Sequence, residues 1–193
     1  PTAAAARSAP SRLTDRDLLA MYRYMVQMRE FEDAIIHIYT QGKFVGGAYS
    51  GNGNEATAVA TAYALGDGDY IFPMHRDLAA HFVRGQSVAT LMKQFLARAG
   101  GLTEGRDGTG HYTDPKLRIY GNISHLGAML PVACGIALAC RIKKEPNIAM
   151  TYIGDGGRRH AYRRHRCQGA RRRGGRRRVH VGDGRDRSAR SRR

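Results

Sequence analysis

Apolar side chains recur at helical spacing from Thr14 onward: Leu18, Tyr22, Met25 and Val26, then Ile35, Ile36 and Tyr39. That period predicts a long first helix. Thr14 followed three residues later by Asp17 has the pattern of a capping box, and Gly42 is a natural C-terminal stop. A second, Ala-rich helix is expected over Glu55–Leu65. Gly66-Asp67-Gly68-Asp69 then reads as a turn, and Tyr70-Ile71-Phe72 as a short strand ending at Pro73. Further helices are expected near Leu78–Val83, Val88–Ala99 and Gly127–Lys143. In the last of these, Pro131 falls in the first turn, where a missing N–H costs little. Small residues (Ala128, Ala133, Gly135, Ala137, Ala139) suit it to close packing, and Cys134 and Cys140 read as core residues. Asn147–Ile153 is a compact apolar strand. Helices alternating with short strands predict an α/β fold.

Two stretches interrupt this pattern. Gly100, Gly101, Gly105, Gly108 and Gly110 crowd the approach to His111. Such density permits close backbone approach to a ligand, or makes a merely flexible surface loop. The other stretch is Gly154-Asp155-Gly156-Gly157, directly after the last strand. Open α/β sheets bind phosphorylated cofactors at the carboxyl ends of their strands, where glycine N–H groups reach phosphate and an Asp can hold a divalent cation. Alone, the motif is weak, because glycine turns carrying an Asp are common.

The 193 residues suffice for one α/β domain, or for a fragment of a larger subunit. A formal charge of +16 first suggests a nucleic-acid partner. The charge is unevenly spread: residues 158–193 hold 16 Arg, no Lys and 2 Asp, whereas residues 1–157 hold 16 Lys and Arg against 14 acids. No run approaches the roughly 18 apolar residues that span a bilayer. Cys134, Cys140 and Cys167 form no CxxC pair, so neither a disulfide framework nor a zinc ribbon is supported. A reduced compartment fits, the bacterial cytoplasm in the first instance. Pro1–Arg12, rich in Ala, Ser and Arg, reads as a disordered N-terminal segment or as the end of a transit peptide, which would place the chain in the mitochondrial matrix.

Seven ordered landmarks carry a family resemblance: MYRYMVQMREFED (Met21–Asp33), QGK (Gln41–Lys43), GNEA (Gly53–Ala56), PMHRD (Pro73–Asp77), GTGHY (Gly108–Tyr112), GNISHLGAMLPVACGIALA (Gly121–Ala139) and AMTYIGDGG (Ala149–Gly157). Residues 15–157 resemble the α subunit of the thiamine-diphosphate-dependent 2-oxo acid dehydrogenases, the E1 components of pyruvate, branched-chain 2-oxo acid and acetoin dehydrogenase complexes. The resemblance implies a thiamine-diphosphate-binding fold, with a parallel sheet flanked by helices, of which residues 14–157 form the N-terminal part. It implies oxidative decarboxylation of a 2-oxo acid with acyl transfer to a lipoyl arm. The implied cofactors are thiamine diphosphate and Mg2+. The implied partners are an E1 β subunit, in an α2β2 heterotetramer that supplies the activating glutamate, and a lipoyl acyltransferase E2.

By the same resemblance, His75 and Arg76 hold the cofactor diphosphate, a task for which the Arg fork suits paired charge-assisted bonds. Ser124 and Leu126 contact the aminopyrimidine, Asp155 ligates the metal, Gly156 and Gly157 form the turn beside it, and His111 is an active-site-proximal histidine. Each position also has a plain structural reading. Arg76 could pair with Asp77 or Glu55, Glu55 could be an ion-pair or helix-terminus residue, and His81 and His125 could be structural.

After Gly157 the resemblance stops. The family continues into a helix, a strand and an Asn-Asn pair that completes the metal site, but the last Asn here is Asn147. Residues 158–193 contain no Leu, Ile, Phe, Met, Glu, Lys, Thr or Asn, a composition expected to be disordered. Out-of-frame translation of a GC-rich gene accounts for such a tail. The competing reading is a true polyanion-binding arm, whose salt-sensitive affinity would vanish on deleting residues 158–193. On either reading the chain as written is expected to lack half of its cofactor site, to leave the last strand as an exposed edge and to be inactive alone. A structural or regulatory α-like chain that pairs with a β subunit is a third expectation.

Overall fold

The computed structural model describes residues 13–44, 46–107, 110–154 and 157. Thr14 begins the first helix as its sequence predicts. Its hydroxyl accepts from the Asp17 N–H at 3.3 Å, while the Asp17 carboxylate accepts from the Thr14 N–H at 2.9 Å. Tyr63 donates to the same carboxylate at 2.6 Å, tying the start of α1 (Asp15–Thr40) to the end of α2 (Glu55–Tyr63). The Thr14 hydroxyl also donates to this carboxylate at 2.6 Å, and that bond first, Tyr63's second, holds the Asp17 carboxyl down to about 2.

The core face of α1 is Met28, Phe31, Glu32 and Ile35. Leu18, Tyr22, Val26 and Tyr39 of the expected stripe are instead exposed. The helix carries two apolar faces, and α2 with α3 (Ala79–Val83) covers the one centred on Phe31. Phe31 meets Phe82 and Phe95 edge-on, each at 5.6 Å between ring centres. A buried ring of this kind is worth about 3–5 kcal/mol against truncation to Ala. Ala58 and Ala62, both fully buried, let α2 lie close.

β1 (Tyr70–Phe72) pairs in parallel with β2 (Ala149–Thr151), Tyr70 opposite Ala149 and Phe72 opposite Thr151. On the other side of β1, Ile71 makes a single bridge to Ile119. The fold is helix-rich with a small parallel sheet, as the α/β reading expects. Because the pairing is parallel, the carboxyl ends of both strands emerge side by side. Among the described residues, β2 has a strand partner on one side only, consistent with the edge expected for it.

Other departures are local. α4 covers Val88–Phe95 and stops short of Ala99, because Ala97 and Gly100 take positive φ (50° and 79°). The glycine-rich stretch beyond is fastened: buried Gln94 accepts from the backbone N–H and the hydroxyl of Thr103 at 2.9 and 3.0 Å. A 3-10 turn at Pro115–Leu117 precedes α5 (Met129–Lys143). Cys140 is buried on α5 but Cys134 is exposed, correcting the core reading of that residue. Six positions apart on a helix, the two point about 120° away from each other. No described helix is long and apolar enough to cross a membrane. The segments 1–12 and 158–193, with the disorder expected for them, lie outside the described residues.

Candidate functional site

A cleft opens where β1 and β2 end. The segments Phe72–His75 and Thr151–Ile153 form two of its walls, and the loop from Ile123 to Gly127 forms a third, around about 460 Å³ of empty space including the mouth. The loop turns through Gly121, Asn122 and Gly127, all at positive φ. Asn122 is one of the few side-chain-bearing residues here in that left-handed region.

Three polar side chains meet at the rim. His111 Nε2 lies 2.7 Å from Ser124 Oγ, and the same hydroxyl lies 3.5 Å from His75 Nε2. The His111 ring stands edge-on to His75 at 5.3 Å. Tyr49 stacks on the His75 ring, with ring centres 5.6 Å apart and planes inclined by 26°. Burial, and then the proximity of His111, lowers the His75 pKa, so its ring is neutral at neutral pH. Gly110 must lack a side chain, since a Cβ there would lie 2.5 Å from His75 Nδ1.

The loop carrying Tyr49 is tied down by carboxylates. Glu32 accepts from Ser50 Oγ at 2.8 Å and from the Gly51 N–H at 2.5 Å. Asp33 accepts from Asn52 at 2.8 Å, and Glu55 from the Gly53 N–H at 2.9 Å. Asp77 accepts from Asn54 at 2.7 Å and from the Met74 N–H at 3.1 Å, fixing the turn that presents His75 and Arg76. Burial pushes the Glu32 and Asp77 carboxyls upward. Gly51 packs so tightly on the Arg76 carbonyl that no side chain fits between them.

The expected site residues therefore fall as follows. His75, Ser124 and Leu126 line the cleft, and His111 joins them through Ser124. Gly157 packs beside two of the lining residues: a Cβ there would lie 3.3 Å from Ile153 Cγ1 and 3.6 Å from Leu126 Cβ. Arg76 is exposed beside His75. Its plain structural reading fails, because Glu55 pairs with Arg29 and Asp77 is taken by Asn54 and Met74. Glu55 is the ion-pair and helix-terminus residue expected, opening α2. Asp155 and Gly156 lie outside the described residues, and among those described no cluster of three or more His, Cys, Asp or Glu could hold a metal. The donors at the cleft, two imidazoles and a hydroxyl beside an apolar wall, with the exposed Arg76 next in sequence and without a carboxylate partner among the described residues, fit a ligand with an anionic end and an aromatic body.

Tyr49 is the residue that sequence reasoning missed. Its signal is an aromatic side chain two positions before the glycine that the His75–Arg76 turn requires, in a loop otherwise rich in Gly and Asn.

A family model described as dehydrogenase E1 component matches residues 23–161. The chain is 32% identical over 144 residues to the α subunit of acetoin:2,6-dichlorophenolindophenol oxidoreductase of Bacillus subtilis, covering 75% of this chain and 43% of that protein. It is 33% identical over 141 residues to the pyruvate dehydrogenase E1 component subunit α of Rhizobium meliloti, covering 72% and 40%. Against the testis-specific mitochondrial form of pyruvate dehydrogenase E1 component subunit α from Homo sapiens it is 32% identical over 145 residues, covering 75% and 37%. The chain spans less than half the length of these relatives.

Proposed function

The chain belongs to the thiamine-diphosphate-dependent 2-oxo acid dehydrogenase E1 family, on its α-subunit side, and from that premise we propose that its cleft is the α-side half of the cofactor site. The observation that carries this reading is convergence. His75, Ser124, Leu126 and Gly157 come from three separate segments and meet at the carboxyl ends of two parallel strands. Open α/β sheets bind phosphorylated ligands in that place.

When bound, thiamine diphosphate supplies a nucleophilic thiazolium carbon through which a 2-oxo acid loses CO2 before its acyl group passes to a lipoyl arm. The residues of this chain bind and orient. The Arg76 guanidinium would donate in pairs to diphosphate oxygens, the more strongly for having no competing carboxylate among the described residues. His75 stays neutral and donates one N–H without bringing a charge of its own. Leu126, 56% exposed, offers an apolar contact to the aminopyrimidine, and the Ser124 hydroxyl fixes the neighbouring imidazoles. His111 Nε2, 2.7 Å from the Ser124 hydroxyl, would hold or move a proton at the rim. Asp155 would ligate Mg2+, with Gly156 in the turn beside it.

The remaining parts of the reading follow the family: a β subunit across an α2β2 interface, an E2 acyltransferase, and a 2-oxo acid whose identity is set largely outside this chain. Because no Asn follows Asn147 in this sequence, the family's second set of metal ligands is not recognisable in it, and the 193-residue chain is expected to bind weakly and be inactive. Titrating the 193-residue chain with thiamine diphosphate and Mg2+, followed by amide NMR shifts, tests this. Shifts at His75, Ser124 and Leu126 that saturate only at millimolar cofactor are expected. A cleft that does not respond would refute the site, and micromolar saturation would refute its incompleteness.

A further inference from the structure

Beneath the rim cluster lies a second set of polar groups that the cofactor reading does not use. His81, on α3, is fully buried, and burial drives its pKa down to about 3, so the ring is neutral. Its Nε2 is approached by Asn122 Nδ2 at 3.3 Å and by the Tyr112 hydroxyl at 3.4 Å. The Tyr112 ring lies against the imidazole, with centres 5.2 Å apart. With Asn122 Nδ2 donating, His81 Nε2 is the acceptor and the ring proton sits on Nδ1. That nitrogen and Asn122 Oδ1 are both buried without a hydrogen-bond partner among the described residues. An apolar side chain at position 81 would pack without leaving such atoms unmade, so the trio is a poor device for stability alone.

Its connections point to another use. Tyr112 is the residue after His111, and Asn122 stands two residues before Ser124. Asn122 also donates its backbone N–H to the Pro73 carbonyl at 3.3 Å, two residues before His75. One buried imidazole is thus linked, through neighbours one or two residues away, to all three members of the rim cluster. Asn122 holds φ of 57° while doing so, a conformation that few side-chain-bearing residues adopt.

We propose that His81, with Tyr112 and Asn122, is a positioning unit that fixes the His75–Ser124–His111 arrangement before any ligand arrives. His81 touches neither the cleft nor a reacting group; it acts by holding two loops in register from the core side. The proposal rests on the geometry of the free chain, so it can fail independently of the cofactor reading.

The test is imidazole 15N NMR of the free chain, which reads the hydrogen bonding of His75 and His111 directly, alongside thermal midpoints. Tyr112→Phe removes one hydroxyl and keeps the ring. Asn122→Gly removes the amide at a position whose positive φ glycine accepts freely. His81→Leu removes the hub, and His81→Gln returns a polar atom to it. Leu91→Ala, a buried truncation on α4, serves as a destabilised control. The expected result is that Tyr112→Phe and Asn122→Gly shift and broaden the His111 and His75 nitrogen signals with little change in midpoint. His81→Leu should do the same, and His81→Gln should restore the parent pattern in part. Leu91→Ala should lower the midpoint and leave the signals alone. Parent-like signals in both Tyr112→Phe and Asn122→Gly, or signal changes that follow the midpoint across all variants including Leu91→Ala, would overturn the proposal. If His81→Leu fails to fold, the first two variants decide it.

Discussion

Glu32 and His81, two buried ionisable residues, pull the acid stability of this chain in opposite directions. His81 has an ordinary value of 6.5 and a folded value of about 3, so between these the unfolded chain takes up a proton that the folded chain refuses. Stability from this residue is complete above pH 6.5 and falls by about 1 kcal/mol for each pH unit below it. Glu32 has its carboxyl pushed above 4.5, so it favours the folded chain at acid pH and loses that contribution as pH rises past 4.5. Denaturant titrations of the parent and of His81→Leu at pH 7, 6 and 5 separate the two. The parent should lose more stability across this range than the variant, which keeps only the loss from His75, whose pKa burial also lowers. Parallel curves would show that His81 is not held neutral.

At the scale of elements, what the sequence makes legible is what neighbouring residues decide. Thr14 and Asp17 cap α1 because both halves of the box lie within one turn. Tyr70–Phe72 is a strand of the expected length because Pro73 cannot continue the ladder. The buried face of α1 is a different matter. Leu18, Tyr22 and Val26 are as apolar as Met28, Phe31 and Ile35, and only the distant packing of α2 and α3 selects between them. The end of α4 at Phe95 turns on a positive φ at Ala97, which alanine itself does not announce. α5 shows the same limit: its small residues suggest close packing, yet Val132, Leu138 and Ile142 stand exposed. Ile142, 73% exposed at the last turn, gives a direct check. Ile142→Lys should leave the thermal midpoint unchanged and raise the concentration at which the chain self-associates in light scattering. A marked drop in midpoint would mean that the residue is packed.

Over the whole molecule, the +16 charge is two quantities, a nearly neutral body of residues 1–157, most of it covered by the E1 family match to residues 23–161, and an arginine-rich stretch from residue 158 whose first four residues that match still includes. The candidate site belongs to the body. Its individual residues were legible because PMHRD, GTGHY and GNISHLG are local patterns. Their meeting was not legible, because Tyr49, His75, His111 and Ser124 come from four separate stretches of chain, joined by contacts distant in sequence: the Asn122 N–H bond to the Pro73 carbonyl and the Glu32 bonds that hold Ser50 and Gly51. The central claim is that the turn after β1 holds the diphosphate end of the cofactor. The most direct measurement is the affinity of the chain, with Mg2+ present, for thiamine diphosphate relative to thiamine, in the parent and in Arg76→Ala. The account predicts that the parent prefers the diphosphate at least about tenfold, as befits a charge-assisted pair of bonds, and that Arg76→Ala abolishes the preference. Equal affinity of the parent for the two compounds would contradict it.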